Sequence, residues 1–243
     1  AHVPSLVVSF DTIWLLAPFL EELASSYPDR LPILCGLIAC SSSSALTKRF
    51  AVNRFDRELL ARLRCAEDQL LATCRRLRLP CHILQPSLVY GQEGPHGDRN
   101  LSKLLQLFRF LERLPLTADT GLRQPIYASQ LATVAFHLAQ QLCVPGRDLS
   151  LPERITLGGN TTLIYFAMIS ALQQAQSAGD PARRYRLLPI PNRLFFSLAA
   201  PLLPASPKAF EAVLRMGADL SGFTPAHQLL GRKPQPFPVL PLA

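Results

Sequence analysis

The feature that most constrains this chain is a set of unbroken apolar runs separated by segments of helical periodicity. "LPILCGLIAC", "CHIL" and "RITLGG" carry no polar alternation. A strand with one face in water alternates apolar and polar residues. A strand covered by helices on both faces does not. Between the first two runs lies "FDRELLARLRCAEDQLLATCRRLRL", where Leu59, Leu60, Leu63, Ala66, Leu70 and Leu71 recur at helical steps. Strand, helix and strand in this rhythm predict parallel β-α-β units, hence an α/β fold.

The same rhythm extends along the chain. "PSLVVSF" reads as a short strand, and "DTIWLLAPFLEELASSY" as a helix with Asp11 as its N-cap. "PCHILQPSLVY" is a strand leading into the glycine loop "GQEGPHG". "NLSKLLQLFRFLERL" and "QLATVAFHLAQQL" read as helices, "QPIYAS" as a short strand, and "TTLIYFAMISALQQAQ" as a helix with Thr161 or Thr162 near its cap. The tail is rich in proline. At 243 residues the expectation is one α/β domain, or one domain plus a small appendage.

Composition narrows the partners. The net charge is +8, with 25 Lys+Arg against 17 Asp+Glu, which favours anionic ligands or a solvated basic surface. Nucleic acid is a poor partner: the arginines of the long helix are interleaved with Asp56, Glu58, Glu67 and Asp68 rather than forming an unbroken basic face. The six cysteines form no Cys-x-x-Cys pair and the histidines are scattered, so no metal centre is expected. Buried free thiols suit a reducing, cytoplasmic setting. No apolar run is long enough to span a membrane. There is neither a Gly-x-Ser-x-Gly elbow nor a P-loop.

In open parallel sheets, ligands bind beyond the carboxyl ends of the strands. Three segments qualify: "SSSSALTK" after the run ending at Cys40, the "PSLVYG" turn, and "GLRQPIYA". In order along the chain, "SSSSALTK", "AEDQLL", "ILQPSLVYG", "DRNLSKL", "GLRQPIYASQLA" and "ITLGGNTTLIYFAMI" resemble the extended short-chain dehydrogenase/reductase superfamily, in its NAD-dependent epimerase/dehydratase branch.

The resemblance implies a single Rossmann-like domain over residues 1–243, with 1–160 mainly sheet core and 161–243 mainly a C-terminal substrate or cap region, NAD or NADP as cofactor, and a nucleotide-sugar or similar alcohol/carbonyl substrate. A homodimer is its candidate assembly. Ser43, with Ser42 beside it, matches the hydroxyl that holds the substrate oxygen. Lys48 is a stand-in for proton transfer, although a solvated loop charge is the simpler account of it. Ser87 is the candidate cofactor contact. Tyr90, Asn100 and Arg123 are the candidate substrate contacts, Arg123 through a forked grip on a diphosphate. Asn100 could instead cap the helix that follows it.

Departures from the pattern matter as much. Counting back from Glu67, the positions of the family's Tyr-x-x-x-Lys pair hold Leu59 and Leu63, and no tyrosine occurs from Pro28 to Val89. Leucine moves no proton. Gln85 and Gln130 also replace residues usual in the family. The opening strand, glycine turn and helix that grip the dinucleotide are not recognisable ahead of "PSLVVSF". The expectation is therefore an N-terminally incomplete sheet, short by about 60 residues. Gly91, Gly94 and Gly97 spell Gly-x-x-Gly-x-x-Gly, but Pro95 interrupts them and no helix follows directly, so a loop over the substrate is the better reading. The alternative to an enzyme is a catalytically inactive nucleotide- or protein-binding member of the fold.

Overall fold

Continuous apolar runs become adjacent parallel strands in the computed structural model, which describes residues 4–44, 54–93, 96–97, 101–110, 113–117, 119–144, 150–184, 186–201 and 213–239. The chain divides into two compact units that interleave in sequence: Ala1–Ser87 with Gln130–Leu157, and Leu88–Ser129 with Gly158–Ala243.

The first unit holds β1 (Ser5–Ser9), α1 (Leu16–Ser26), β2 (Leu34–Cys40), α2 (Arg54–Arg76), β3 (Cys81–Pro86), α3 (Ala128–Leu142) and β4 (Arg154–Gly158). Its strands lie in the order β1-β2-β3-β4. All the pairings are parallel, with Val8 opposite Ile38, Ile38 opposite His82 and Ile155 opposite Leu84. Every residue of β3 is buried, as an apolar run covered on both faces requires. Leu20, Leu37, Leu63, Leu70 and Ile83 meet in one core cluster of α1, α2 and the sheet. Each such side chain contributes about 1.5–3 kcal/mol by leaving water. Arg62 lays its guanidinium 3.8 Å over the Trp14 ring at the edge of this core.

Local details differ from the sequence reading for physical reasons. Asp11 accepts from the adjacent Thr12 N–H at 2.6 Å, and a 3-10 turn, Ile13–Leu15, precedes α1, so Asp11 is not its N-cap. Residues Pro28–Ile33 form a second 3-10 turn instead of lengthening β2, since Pro32 lacks the N–H that a strand ladder needs. Cys74 and Cys81 are buried free thiols, whereas Cys65 and Cys143 are exposed. Burial pushes the Cys40 thiol up to about 12.

The second unit is built from short pairings. Arg113–Thr117 pairs in parallel with Arg186–Ile190, Val89–Tyr90 in parallel with Ile126–Tyr127, and Leu122–Arg123 antiparallel with Leu163–Ile164. Helices Leu101–Phe110, Tyr165–Gln174 and Asn192–Ala199 contribute Phe108, Met168, Ile169, Leu172 and Phe195 to a core that also includes Leu116. The helix expected to run through "FRFLERL" ends at Phe110, and the strand Arg113–Thr117, with Pro115 inside it, follows. Ile164, not Thr161 or Thr162, occupies the cap position of Tyr165–Gln174. Thr120 Oγ1 accepts from the Phe166 N–H at 2.9 Å, while Thr161 Oγ1 accepts from that of Phe237 at 3.1 Å. Among the described residues, no helix is long and apolar enough to cross a membrane, and no His/Cys/Asp/Glu cluster could hold a metal ion.

Candidate functional site

The serine turn is anchored to the end of β3. Ser41 N donates to Leu84 O at 2.7 Å and Ser43 N to Pro86 O at 3.1 Å. Ser87 N in turn donates to Leu157 O at 2.8 Å. The parallel ladder therefore continues past the strand ends and draws Ser42, Ser43 and Ser87 to one carboxyl rim of the first unit's sheet. The hydroxyls are not equivalent. Ser42 Oγ is engaged within the turn: it donates to Ser44 Oγ at 2.9 Å and accepts from Ser44 N at 3.1 Å. Half-buried Ser43 has no side-chain partner among the described residues, so its hydroxyl is available to a ligand oxygen.

Beneath the rim, Glu67 is buried at 1% exposure. It accepts from Ser41 Oγ at 2.5 Å, from Gln85 Nε2 at 3.0 and 2.9 Å, and from Arg154 Nε at 2.9 Å. Arg154 also reaches Asp68 at 2.5 Å. Burial works against the Arg154 charge, but the bonds to Glu67 and Asp68 outweigh it and hold its pKa above the ordinary arginine value. A buried carboxylate needs such partners to stay charged. Glu67 therefore ties α2, β3, β4 and the first serine of the turn into one polar knot. Sequence reasoning used Glu67 only as a counting mark and took Gln85 as a departure. The missed partner, Arg154, left one sign: a cation opening an apolar strand. Leu63 is in the core and Leu59 packs against it, so the family's proton-transfer positions are hydrocarbon here. Lys48 and Asn100 lie outside the described residues.

In the second unit, Arg123 is only 5% exposed. Its Nη1 donates to Leu122 O at 2.7 Å and Ala218 O at 2.5 Å, and its Nη2 to Arg215 O at 2.5 Å. Its Nε–H and one Nη2–H have no partner among the described residues. The guanidinium stands 5.2 Å from the Tyr165 ring centroid. Burial lowers its pKa, while Tyr165 and Asp219 act in the opposite sense. Gln124 donates to Gly159 O at 2.9 Å and Phe223 O at 3.0 Å, and accepts from Phe223 N at 3.0 Å. Together Arg123 and Gln124 pin the segment from Arg215 to Phe223. Tyr90, expected at a ligand, is 1% exposed. It packs edge-on to Tyr127 and Phe237, and its oxygen accepts from Val239 N at 2.9 Å. Burial pushes its pKa up to about 12.

No family model and no curated protein matches the chain. Solved structures do. UDP-glucuronic acid 4-epimerase from Bacillus cereus, in complex with UDP-glucuronic acid and NAD, aligns over 92% of this chain and 62% of its own, at 17% identity and a TM-score of 0.52. An epimerase from the methanogen Methanothermobacter thermautotrophicus aligns over 95% and 67%, at 12% identity and 0.51. MoeE5, in complex with UDP-glucose and NAD, aligns over 91% and 64%, at 16% and 0.52. The chain has the Rossmann-type α/β fold that these structures share. It spans from 62% to 67% of the length of these three structures.

A dinucleotide in a Rossmann-type fold needs a glycine turn that opens a helix at the pyrophosphate. The "GQEGPHG" segment does not provide one. Gln92 pairs antiparallel with Gly97, and Glu93 with His96. Gly91 enters the segment at a φ of 114°, and a Cβ there would lie 2.3 Å from Tyr127 Cε2. Among the described residues no Gly-x-x-Gly-x-x-Gly turn opens a helix, so these residues do not fit the pyrophosphate.

Proposed function

We propose that this chain is a nucleotide-sugar oxidoreductase-like protein of the epimerase/dehydratase type, whose Ser43 hydroxyl binds the reacting alcohol or carbonyl oxygen of its ligand. The observation that carries this reading is the unpartnered Ser43 hydroxyl at the carboxyl rim, on a turn fastened to β3. Ser42 shapes the turn, and Ser87 is the candidate cofactor contact. Arg123 keeps two free N–H donors for a diphosphate oxygen. Asn100 and Lys48 keep the roles the resemblance implies. NAD- or NADP-dependent hydride transfer would further require a pyrophosphate-binding turn beyond the described residues.

A second reading has its own support: Leu59 and Leu63, packed in the core, supply no proton carrier, which favours a catalytically silent nucleotide-binding member. Calorimetry with UDP-glucose and UDP-glucuronic acid, each with and without NAD(H) or NADP(H), tests both readings. Binding that Ser43→Ala weakens about tenfold supports the site. Absence of binding, or indifference to that substitution, overturns it. Turnover followed by NADH absorbance separates an enzyme from a silent binder.

A further inference from the structure

The second unit carries an open cavity of about 310 Å³, lined in part by Leu116, Ile169, Phe195, Leu198, Met216 and Tyr165. That volume is within the range of small-molecule pockets. Its lining comes from the strand Arg113–Thr117, the helices Tyr165–Gln174 and Asn192–Ala199, and the segment around Met216. Among the described residues that line it, all side chains are hydrocarbon or thioether except that of Tyr165, which carries a hydroxyl. That hydroxyl has no partner among the described residues. Burial raises its pKa, which keeps it a neutral donor. The Arg123 guanidinium, against the Tyr165 ring, places a positive charge beside the same residue. Leu198 both lines the cavity and is 61% exposed, so the cavity reaches solvent along the helix Asn192–Ala199.

A nucleotide sugar is a poor occupant. Its hydroxyls and phosphates would lie against hydrocarbon without hydrogen-bond partners, and each would weaken binding. We infer that this cavity binds an aliphatic carboxylate of medium chain length, its tail among Leu116, Ile169, Phe195 and Met216 and its head group accepting a hydrogen bond from Tyr165. The anion follows from the donor hydroxyl and the neighbouring cation, and the aliphatic tail from the apolar side chains of the described lining residues. The inference stands apart from the Ser43 rim and requires no dinucleotide.

Calorimetry of the whole chain with octanoate, decanoate and UDP-glucose tests it. Each buried methylene should tighten binding about fourfold. Decanoate should therefore bind at least about tenfold tighter than octanoate. Tyr165→Phe should weaken decanoate about tenfold through loss of the hydrogen bond to a charged group. Leu198→Asp puts a charge at an exposed position on the mouth, where the fold tolerates it, and should weaken decanoate at least as much. Circular dichroism checks that both variants remain folded. The inference is overturned if decanoate shows no saturable binding, if the two chain lengths bind equally, or if both folded variants bind decanoate like the parent. UDP-glucose binding that Leu198→Asp, at the cavity mouth, weakens as much as it weakens decanoate would overturn the apolar assignment.

Discussion

Gln85 donates its side-chain amide to both oxygens of the Glu67 carboxylate, at 3.0 and 2.9 Å, at the point where Arg154 brings the compensating charge from the next strand. A neutral amide takes up the geometry of the carboxylate, and a cation one strand away takes up its charge. Through Ser41 Oγ the same carboxylate fixes the start of the serine turn. The buried acid thereby positions Ser43 without touching a ligand.

Removing that acid should be costly. Glu67→Ala leaves Gln85 and Arg154 without their shared acceptor and releases Ser41. The side chain of Arg154 is 35% exposed and can rehydrate, so the loss should lie near the lower end for a broken buried pair, about 3 kcal/mol. Glu67→Gln keeps the shape and should cost less. Urea denaturation measures both. An alanine variant as stable as the parent would show that the knot contributes nothing to stability.

The Arg123 staple relies on a glycine beside it. Gly121 N donates to Met216 O at 2.7 Å, and a Cβ at Gly121 would lie 2.2 Å from Ala218 O, a backbone atom that cannot turn aside. Gly121→Ala should cost about 2 kcal/mol or more as the segment from Arg215 to Phe223 is pushed off its anchors. Gly179→Ala, where a Cβ meets nothing within 4 Å, is the control and should be near neutral. Thermal melts of the two variants side by side provide the comparison.

Tyr90 sets an alkaline limit. Its folded pKa is pushed up to about 12, chiefly by burial, against an ordinary value of 10.0. The folded state thus favours the neutral phenol. The associated stability is complete below pH about 10 and declines as pH rises through about 12. The unfolding free energy should fall across that window, and Tyr90→Phe should flatten the fall. A Tyr90 that ionises with the solvent-exposed tyrosines in ultraviolet titration would contradict its buried placement.

The parallel sheet was legible because strands covered on both faces lack apolar–polar alternation, as β2 and the centres of β3 and β4 do. The rim was legible because a parallel sheet presents its ligands with the carboxyl ends of its strands, and "SSSSALTK" follows one. Other features depended on distant partners. Two of the acceptors of Arg123 lie 92 and 95 residues downstream, at Arg215 and Ala218, where no local pattern signals a carbonyl. The "GQEGPHG" glycines were separable from a dinucleotide turn by Pro95, but their antiparallel pairing was not legible. The strand Arg113–Thr117 was hidden because its partner, Arg186–Ile190, sits in the proline-rich tail and because its own residues continue an apparent helix.

The chain passes between its two units at Ser87, Ser129 and Leu157. Neither unit is thus a contiguous stretch of gene. A fragment stopped near Leu157 carries all of one unit and a stranded portion of the other, Leu88–Ser129, shorn of the C-terminal half with which it builds a core. Producing either body alone would take a splice, Ser87 to Gln130 or Ser129 to Gly158, rather than a truncation.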